Sequence, residues 1–294
     1  MGRYGWGETS EQEFIDVIHV ALDHGLNFFD TANTYGFGQS EETLKKGLGE
    51  KRKDVIIQSK FGVRVMQDMV GRKTIYDNNP DYIKKALEGT LERLGTDYID
   101  IYTIHYRDKE TPIEVVIDTL RKLKKEGKIR YFGLSNIHED SMSEIEPYKS
   151  EFVCCQDEYS LARRDFELEL KKIDTEFGIT PLTWGSLGQG ILTGKYDKNV
   201  MFETNDRRHS ESYVNFHGKK LLKNLEIVEV MKPIAEKHGK SLSAVAIRFI
   251  LDNLNGSVAL VGAKRPSQME GNLEALDWKL MEEELAELDK ISRD

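Results

Sequence analysis

The sequence predicts an α/β fold of the (β/α)8 barrel class, and three observations support this prediction. Amphipathic helical segments alternate with short apolar segments along the chain. Several apolar segments, such as residues 55–57 and 258–261, are continuous runs of the kind found in parallel strands that helices cover. The length of 294 residues suits one closed α/β barrel, so we expect a single domain over residues 1–294.

The first helix is predicted from a capping box. Ser10 can accept a hydrogen bond from the backbone N–H of Glu13, whose carboxylate can reach back to Ser10, and Gly25 can end the helix. Apolar periodicity places further helices at residues 40–49, 80–94, 112–126, 139–148, 165–177, 221–238 and 242–252, with two more near the C-terminus. Short apolar runs place strands at residues 27–30, 55–60, 98–105, 130–134, 152–156, 180–184 and 257–261.

These strands are one fewer than a (β/α)8 barrel contains. A barrel that lacks one strand would leave two unpaired edges. We therefore expect that a first strand precedes this sequence and that residues 2–7, which are rich in glycine, form the loop after it. An open α/β sheet built from the same strands is the alternative topology.

The composition restricts the function classes. The chain has 42 Lys and Arg against 51 Asp and Glu, a formal charge of −9, so the basic surface typical of nucleic-acid binding is not expected. No apolar stretch has the length of a membrane span. The two cysteines, Cys154 and Cys155, are adjacent and cannot crosslink the fold, so we expect a cytoplasmic protein. The seven histidines lack the spacing of metal ligands, so no metal is expected.

Three predicted strands end in polar side chains, at Asp30, Lys60 and His105, and Tyr35 follows in the loop after the first of them. Catalytic residues of (β/α)8 barrels lie at the carboxyl ends of strands. Each residue alone has an ordinary structural explanation: a turn, a solvated rim, a buried imidazole or a half-buried phenol. Their joint placement favours one shared site.

Together these four side chains suit proton delivery to a developing alkoxide. A free tyrosine has a pKa of about 10, which is too high for an efficient acid near neutral pH. The ammonium of Lys60 would lower this pKa, and Asp30 would keep that ammonium charged and oriented. His105 could donate a hydrogen bond to the carbonyl oxygen of a substrate. Because none of these groups supplies a hydride, a redox cofactor is required.

The segments that carry these residues resemble the aldo-keto reductase family. Residues 29–36 (Phe-Asp-Thr-Ala-Asn-Thr-Tyr-Gly) resemble its Asp–Tyr signature, residues 59–62 (Ser-Lys-Phe-Gly) its lysine segment, and residues 100–105 (Asp-Ile-Tyr-Thr-Ile-His) its histidine strand. The resemblance implies a (β/α)8 barrel and NADPH-dependent interconversion of carbonyls and alcohols. The catalytic residues that it implies are Tyr35 as general acid/base, Lys60 and Asp30 as its tuners, and His105 as the carbonyl orienter.

The resemblance also implies a binding site for NADP(H). Ser135, Asn136 and Gln156 would hold the nicotinamide carboxamide, and Trp184 would stack on the nicotinamide ring. Two cations, Lys264 and Arg265, precede a predicted helix and suit an additional phosphate, so we expect NADP(H), with NAD(H) as the alternative. The other implied cofactor residues are Gly185, Ser186, Leu187, Gly188 and Gln189 over the pyrophosphate, and Gly262, Ala263, Gln268 and Asn272 around the adenosine phosphate.

Two features differ from the family pattern or extend it. Gly185 and Ser186 stand where many relatives have Ser-Pro, which leaves the catalytic prediction intact but blurs the subfamily. Residues 206–216 are rich in Arg, His and Ser and are predicted to form a long loop that could fold over the cofactor.

Two other function classes stay open at this point. A Schiff-base lyase would use Lys60 as its nucleophile, although Asp30 would keep that amine charged. A regulatory subunit would bind the nucleotide and turn over slowly, as the potassium-channel β subunits do. The expected partners are a small carbonyl or alcohol substrate, with no nucleic acid and no membrane, in a monomer or a weak homo-oligomer.

Overall fold

The structure is a computed structural model that describes residues 9–68 and 71–293. The described chain separates into two compact units. Unit 1 contains residues 9–156 and 177–179, and unit 2 contains residues 157–176 and 180–293. Each unit contains both strands and helices, and apart from one hairpin they follow each other in the chain order that the sequence predicts.

Unit 1 contains helices and strands in regular alternation together with one β-hairpin. Its strands are β1 (Phe28–Asp30), β2 (Ile56–Phe61), β3 (Val63–Asp68), β4 (Gly71–Tyr76), β5 (Ile99–Ile104), β6 (Ile129–Ser135) and β7 (Phe152–Glu158, of which the last two residues belong to unit 2). Its helices are α1 (Glu11–Asp23), α2 (Gln39–Leu48), α3 (Pro80–Leu94), α4 (Ile113–Lys125) and α5 (Glu139–Ile145).

The strands β1, β2, β5, β6 and β7 pair in this order, and every pairing is parallel. In the register Asp30 lies opposite Gln58, Lys60 opposite Thr103, and Ser135 opposite Gln156. Because the strands are parallel, their carboxyl ends lie at one edge of the sheet. We call this edge, with the loops that follow it, the carboxyl edge.

Local sequence signals explain where the helices of unit 1 begin and end. Ser10 and Glu13 form both hydrogen bonds of the predicted capping box at the start of α1. The Asn79 side chain accepts a hydrogen bond from the N–H of Asp81 at the start of α3, and Gly95 ends that helix in a left-handed conformation. All six residues of β5 are buried, including the polar Asp100 and Thr103, which is typical of a parallel strand that is covered on both faces.

Two parts of unit 1 differ from the prediction. No strand is predicted between residues 61 and 79, yet β3 and β4 form an antiparallel hairpin there. Its sequence lacks the apolar run by which the other strands are recognised. The helix predicted at residues 139–148 ends at Ile145, and a 3-10 helix, Glu146–Glu151, follows it. Pro147 explains this change, because it has no N–H and disfavours the α conformation at the preceding residue.

Unit 2 consists of α6 (Glu167–Thr175), β8 (Thr180–Trp184), α7 (Gly218–His238), α8 (Leu242–Asn253), β9 (Val258–Ala259), α9 (Pro266–Leu273) and α10 (Glu282–Arg293). β8 and β9 are parallel, with Leu182 opposite Val258. The last strand is shorter than the predicted residues 257–261. The main hydrophobic core cluster of unit 2 includes Tyr159, Leu192 and Phe249, which are fully buried. In the described residues, no helix is both long enough and apolar enough to cross a bilayer.

The predicted loop at residues 206–216 is packed onto unit 2 rather than extended. Two short 3-10 helices, Arg207–His209 and Val214–Phe216, interrupt it. The Arg208 guanidinium forms an ion pair with Asp206 at 2.6 Å and lies 4.4 Å from the centre of the Phe202 ring. These contacts give the segment a defined conformation.

Candidate active site

Tyr35, Lys60 and Asp30 lie together at the carboxyl edge of unit 1. The Lys60 Nζ lies 3.4 Å from the Tyr35 hydroxyl and 2.5 Å from Oδ1 of Asp30. It also donates to the backbone carbonyl of Thr31 at 2.9 Å. An ammonium has three N–H donors, and each of them therefore has an acceptor within hydrogen-bond distance. These contacts fix the ammonium between the carboxylate and the phenol.

Lys60 is a buried charge, with only 1% of its surface exposed. Burial opposes the charged form, but the Asp30 carboxylate and the Tyr35 oxygen outweigh it and raise the pKa of Lys60. The side chain therefore stays cationic at neutral pH. Lys60 is therefore not a solvated residue at the rim of the sheet, which was the alternative explanation for it.

The loop that carries Tyr35 has an unusual backbone. Gly36, Phe37 and Gly38 have φ values of 58°, 56° and 94°, in the left-handed region that glycine adopts without strain. Directly after this turn α2 begins, and its Glu41 is fully buried. The Glu41 carboxylate accepts hydrogen bonds from Ser59 Oγ and Arg93 Nε, each at 2.7 Å. Glu41 thus links the Tyr35 loop to the residue before Lys60.

His105 follows β5, and its backbone N–H donates to the carbonyl of Phe61 at 2.8 Å. The centres of the His105 and Tyr35 rings lie 5.9 Å apart, in an edge-to-face arrangement. Burial and the nearby Lys60 ammonium lower the pKa of His105 to about 3. The imidazole is therefore neutral at physiological pH, so one of its nitrogens carries a proton that it can donate.

The three predicted carboxamide ligands meet at the same edge of unit 1. The Asn136 amide donates hydrogen bonds to the His105 carbonyl at 3.0 Å and to Ser135 Oγ at 2.9 Å. Its Oδ1 can therefore accept a hydrogen bond from a ligand. Gln156 Oε1 accepts from Gln58 Nε2 at 3.1 Å, which leaves its amide hydrogens to donate. A carboxamide needs one acceptor and one donor, so these residues fit the nicotinamide end of NAD(P)H.

The predicted pyrophosphate loop lies in unit 2, after β8. Trp184 is half-buried, and its carbonyl accepts from the Tyr159 N–H at 3.1 Å. Gly185, Gly188 and Gly190 have φ values of 69°, 56° and 104°, which side chains rarely allow. A Cβ on Gly185 would lie only 3.2 Å from Oε1 of Glu158. The loop therefore presents backbone where a bound phosphate needs close approach.

Side chains within unit 2 hold this loop. Ser186 Oγ donates to the Leu260 carbonyl at 2.8 Å. Gln189 donates to Glu158 Oε1 at 3.0 Å and accepts from Asn215 Nδ2 at 2.7 Å. Asn215 belongs to the segment at residues 206–216. That segment is therefore bonded to the predicted pyrophosphate loop, and this contact could not be read from the sequence.

The predicted phosphate-binding cations lie at the start of α9. Burial lowers the pKa of Lys264, and the neighbouring cations Arg208 and Lys195 lower it further, whereas Asp206 raises it. Arg265 and Gln268 are exposed, and Gln268 Oε1 accepts from the Lys264 N–H at 2.8 Å. This concentration of cations fits an additional phosphate. Of the other predicted residues, Ala263 and Asn272 are buried and Gly262 is exposed.

Two of the cavities among the described residues lie in unit 1. The larger, about 590 Å³, lies near Arg52 and Tyr98, at the amino ends of β2 and β5 and away from the polar side chains. The smaller, about 320 Å³, is at the carboxyl edge, between the Tyr35 loop and the hairpin. It is lined by Asn33, Thr34, Phe37, Val63, Arg64, Val65 and Tyr82. Of these two cavities, the smaller lies beside the loop that carries Tyr35.

The structure also adds residues that the sequence did not single out. Gln58 supports Gln156, Glu41 ties the Tyr35 loop to β2, and Asn215 supports Gln189. No sequence pattern marks these residues, because their partners lie far away along the chain. In the described residues, no three His, Cys, Asp or Glu side chains are grouped as metal ligands.

Comparison with known proteins identifies the family. A model described as the Aldo/keto reductase family matches residues 1–293. Aldo-keto reductase YhdN from Bacillus subtilis is 34% identical over 296 residues, which cover 99% of this chain and 87% of that protein. Aldo-keto reductase yakc of Schizosaccharomyces pombe, whose name specifies NADP(+), is 31% identical over 96% of this chain and 83% of its own length.

Solved structures give the same result. The glycerol dehydrogenase AKR11B4 from Gluconobacter oxydans matches with a TM-score of 0.87 and 33% identity, over 98% of this chain and 87% of that one. The match confirms the predicted (β/α)8 fold class. The roles of individual residues and the single-domain organisation stay predictions. Sequence and fold agree that this chain belongs to the aldo/keto reductase family of NAD(P)H-dependent oxidoreductases.

Proposed function

We propose that this protein reduces aldehyde or ketone groups to alcohols, reversibly, with NADPH as the preferred cofactor and Tyr35 as the general acid/base. The observation that carries the proposal is the contact between the buried Lys60 ammonium and the Tyr35 hydroxyl, with Asp30 on the other side of the ammonium. When it is bound, the nicotinamide cofactor supplies the hydride. The residues of the chain supply the proton and the orientation of the carbonyl.

Tyr35 gives its hydroxyl proton to the oxygen of the substrate as negative charge develops there. The phenolate that remains lies 3.4 Å from the Lys60 ammonium, which stabilises it. Asp30 keeps the ammonium in place and charged. General acid catalysis of this kind contributes about 10²- to 10⁴-fold to the rate.

His105 acts as a neutral hydrogen-bond donor. A charged imidazole beside Lys60 would be repelled, and the lowered pKa of about 3 keeps the ring uncharged over the working pH range. A neutral donor can bind the carbonyl oxygen without competing with Tyr35 for the transferred proton. The proposed division of roles is therefore orientation by His105 and proton transfer by Tyr35.

The preference for NADPH rests on unit 2. Lys264 and Arg265 belong to the segment that resembles the adenosine-phosphate segment of the family, and burial together with the Arg208 and Lys195 charges lowers the pKa of Lys264. An additional phosphate would relieve this repulsion. NADH lacks that phosphate, so we expect it to bind less tightly.

The lyase alternative is disfavoured by the same contacts. A Schiff-base lysine needs a neutral amine, whereas Asp30 and Tyr35 raise the pKa of Lys60 and use its donors. Burial raises the pKa of the Cys154 thiol to about 12, which supports the prediction that this cysteine is inert. We propose a cytoplasmic location, since the two buried cysteines are adjacent in β7 and cannot crosslink the fold.

The test is a fluorescence titration with NADPH and NADH, followed by NADPH oxidation assays with a panel of aldehydes, ketones and sugars. We expect tighter binding of NADPH and turnover of at least one carbonyl. NADPH binding with no turnover of any carbonyl would instead support a regulatory subunit. Carbonyl trapping by borohydride without nicotinamide would support the lyase.

A further inference from the structure

The orientation of the His105 ring is not fixed by a hydrogen bond to its Nδ1 atom. This nitrogen is buried and has no partner in the described residues. Histidines that work in active sites usually have one ring nitrogen held by a carboxylate or a carbonyl, which sets the tautomer and the ring angle. In this protein the orientation of the ring must come from packing.

The packing partners of His105 form a continuous aromatic stack. Tyr106 stacks on the His105 ring, with ring centres 5.2 Å apart and planes at 27°. Tyr76, the last residue of β4, stacks in turn on Tyr106, with ring centres 5.0 Å apart and planes at 21°. Tyr35 meets the imidazole edge to face. The hairpin therefore contacts the imidazole through one intervening ring.

The backbone of the same loop is held by the residue two positions after Tyr76. Asn78 is fully buried, and its Nδ2 donates to the Tyr106 carbonyl at 3.1 Å. Its Oδ1 accepts from Arg107 Nη1 at 2.7 Å and from the Asp108 N–H at 2.9 Å. Its own N–H donates to Asp108 Oδ2 at 2.7 Å. One side chain thus bonds to three consecutive residues after His105.

The approach of these segments is close enough to require glycine at residue 62. A Cβ at Gly62 would lie 2.6 Å from Asn78 Nδ2 and 2.9 Å from the Tyr106 carbonyl oxygen. The Asp77 N–H also donates to the Gly62 carbonyl at 3.1 Å. The glycine at residue 62 therefore allows the end of the hairpin to pack closely against the loop that carries His105.

We propose that Tyr76 and Asn78 are positioning residues for His105 and that they act through Tyr106. Asn78 places the backbone of the loop, and the Tyr76 ring holds the Tyr106 ring flat against the imidazole. This inference rests on the proposed function, because it assigns the hairpin a part in orienting the carbonyl. A displacement of about 1 Å at a reacting group can cost about 10²-fold in rate.

Tyr76 offers the sharper experiment, because its side chain is half exposed and Asn78 is buried. Tyr76→Ala removes the outer ring of the stack, and Tyr76→Phe keeps the ring and removes only the hydroxyl. Tyr131 is the matched control, since it is 50% exposed against 49% for Tyr76 and lies on β6, away from His105. The measurements are kcat and KM for a carbonyl, the NADPH dissociation constant and the melting temperature.

We expect Tyr76→Ala to lower single-turnover reduction by about tenfold, with NADPH affinity and melting temperature unchanged. Tyr76→Phe should restore the rate, and Tyr131→Ala should leave it unchanged. Asn78→Ser should also lower kcat, but it removes buried hydrogen bonds and should therefore lower the melting temperature as well. In Tyr76→Ala, a melting temperature that falls together with the rate, or an unchanged rate, would overturn the proposal.

A double-mutant cycle identifies the residue through which Tyr76 acts. If the effect passes through His105, then Tyr76→Ala should have little further effect in a His105→Gln background. Additive losses would overturn the proposal. A wild-type protein that reduces no carbonyl would instead refute the proposed function, so the two failures are distinguishable.

An NMR titration tests the same point without turnover. Lys60, Tyr35 and Tyr106 are the titratable groups that face the His105 ring. We expect Tyr76→Ala to admit water and move the His105 titration to higher pH, with the signal assigned by its loss in His105→Gln. An unchanged titration in Tyr76→Ala would contradict a packing role for the stack.

Discussion

The Lys60 Nζ lies 3.4 Å from the Tyr35 hydroxyl, although 25 residues separate them along the chain. The contact joins a loop residue to a strand residue across the β1–β2 pair. It places a positive charge beside the proposed proton donor. The catalytic predictions below depend on it.

Replacement of Tyr35 by phenylalanine should abolish carbonyl reduction. The variant lacks the transferable proton but keeps the ring that packs near His105, so we expect a rate loss of at least about 10²-fold with NADPH affinity nearly unchanged. Stopped-flow NADPH oxidation and fluorescence titration measure the two quantities. Tyr131→Phe is the control, because that side chain is exposed on β6. Retained turnover in Tyr35→Phe would refute the acid assignment.

Removal of the cations at the start of α9 should affect the two cofactors unequally. We expect the double variant Lys264→Ala and Arg265→Ala to weaken NADPH by about 10- to 100-fold and NADH far less, because only NADPH carries the additional phosphate. Lys232→Ala serves as the control, since Lys232 forms an exposed ion pair with Glu229 on α7. Equal losses for both cofactors would show that these cations do not recognise the phosphate.

His105 should make folding stability depend on pH in a defined window. Its pKa is about 3 in the folded protein and about 6.5 in an unfolded chain, so between these values only the unfolded chain binds the proton. Stability should therefore be full above about pH 6.5 and fall as the pH decreases, by at most about 1.4 kcal/mol per pH unit.

The measurement is urea unfolding of the wild type and His105→Gln between pH 5 and pH 7. Most of this range lies below about pH 6.5, where the unfolded chain starts to bind the proton. All other titrating groups are common to both proteins, so the difference between them isolates His105. We expect the wild type to lose more stability than the variant as the pH falls. Parallel pH profiles would contradict a neutral, buried imidazole.

Gly133→Ala should destabilise unit 1. A Cβ at this position in β6 would lie 2.3 Å from Thr103 Oγ1 and 3.1 Å from Cys154 Sγ, and both neighbours are buried. Overpacking of this kind costs about 1–3 kcal/mol. Gly271→Ala in α9 is the control, because its nearest neighbour would be 3.6 Å away, and it should be neutral or slightly stabilising. Similar unfolding midpoints for the two variants would contradict the close packing at β6.

The strand-end pattern predicts much of the site because of a geometric rule. Asp30, Lys60 and His105 each end an apolar strand, and parallel strands bring their ends to the same edge. Tyr35 could be added because it lies in the loop directly after Asp30. Repeating strands and helices were likewise recognisable from apolar periodicity, with boundaries that differ by a few residues.

Contacts between distant loops could not be predicted in this way. The hairpin β3–β4 has no apolar run, so neither its strands nor the stack of Tyr76 on Tyr106 was expected. In the sequence, Asn78 cannot be distinguished from an ordinary turn residue beside Asn79. Only the structure shows that it bonds to the loop after His105. The side-chain amide pair of Gln58 and Gln156 is equally invisible, because 98 residues separate its members.

Glu41 has a consequence for how the protein opens. Its buried carboxylate bonds to Ser59 on β2 and to Arg93 on α3, while its own helix begins at the turn after Tyr35. Loss of the Ser59 bond would leave a buried carboxylate oxygen without its donor, and loss of the Arg93 contact would leave an uncompensated buried charge, and both are costly. In native-state hydrogen exchange, the amides around Tyr35 and those of β2 should therefore become labile in one cooperative event. The proton donor Tyr35 and the lysine Lys60 would then leave their native positions, and return to them, in the same step.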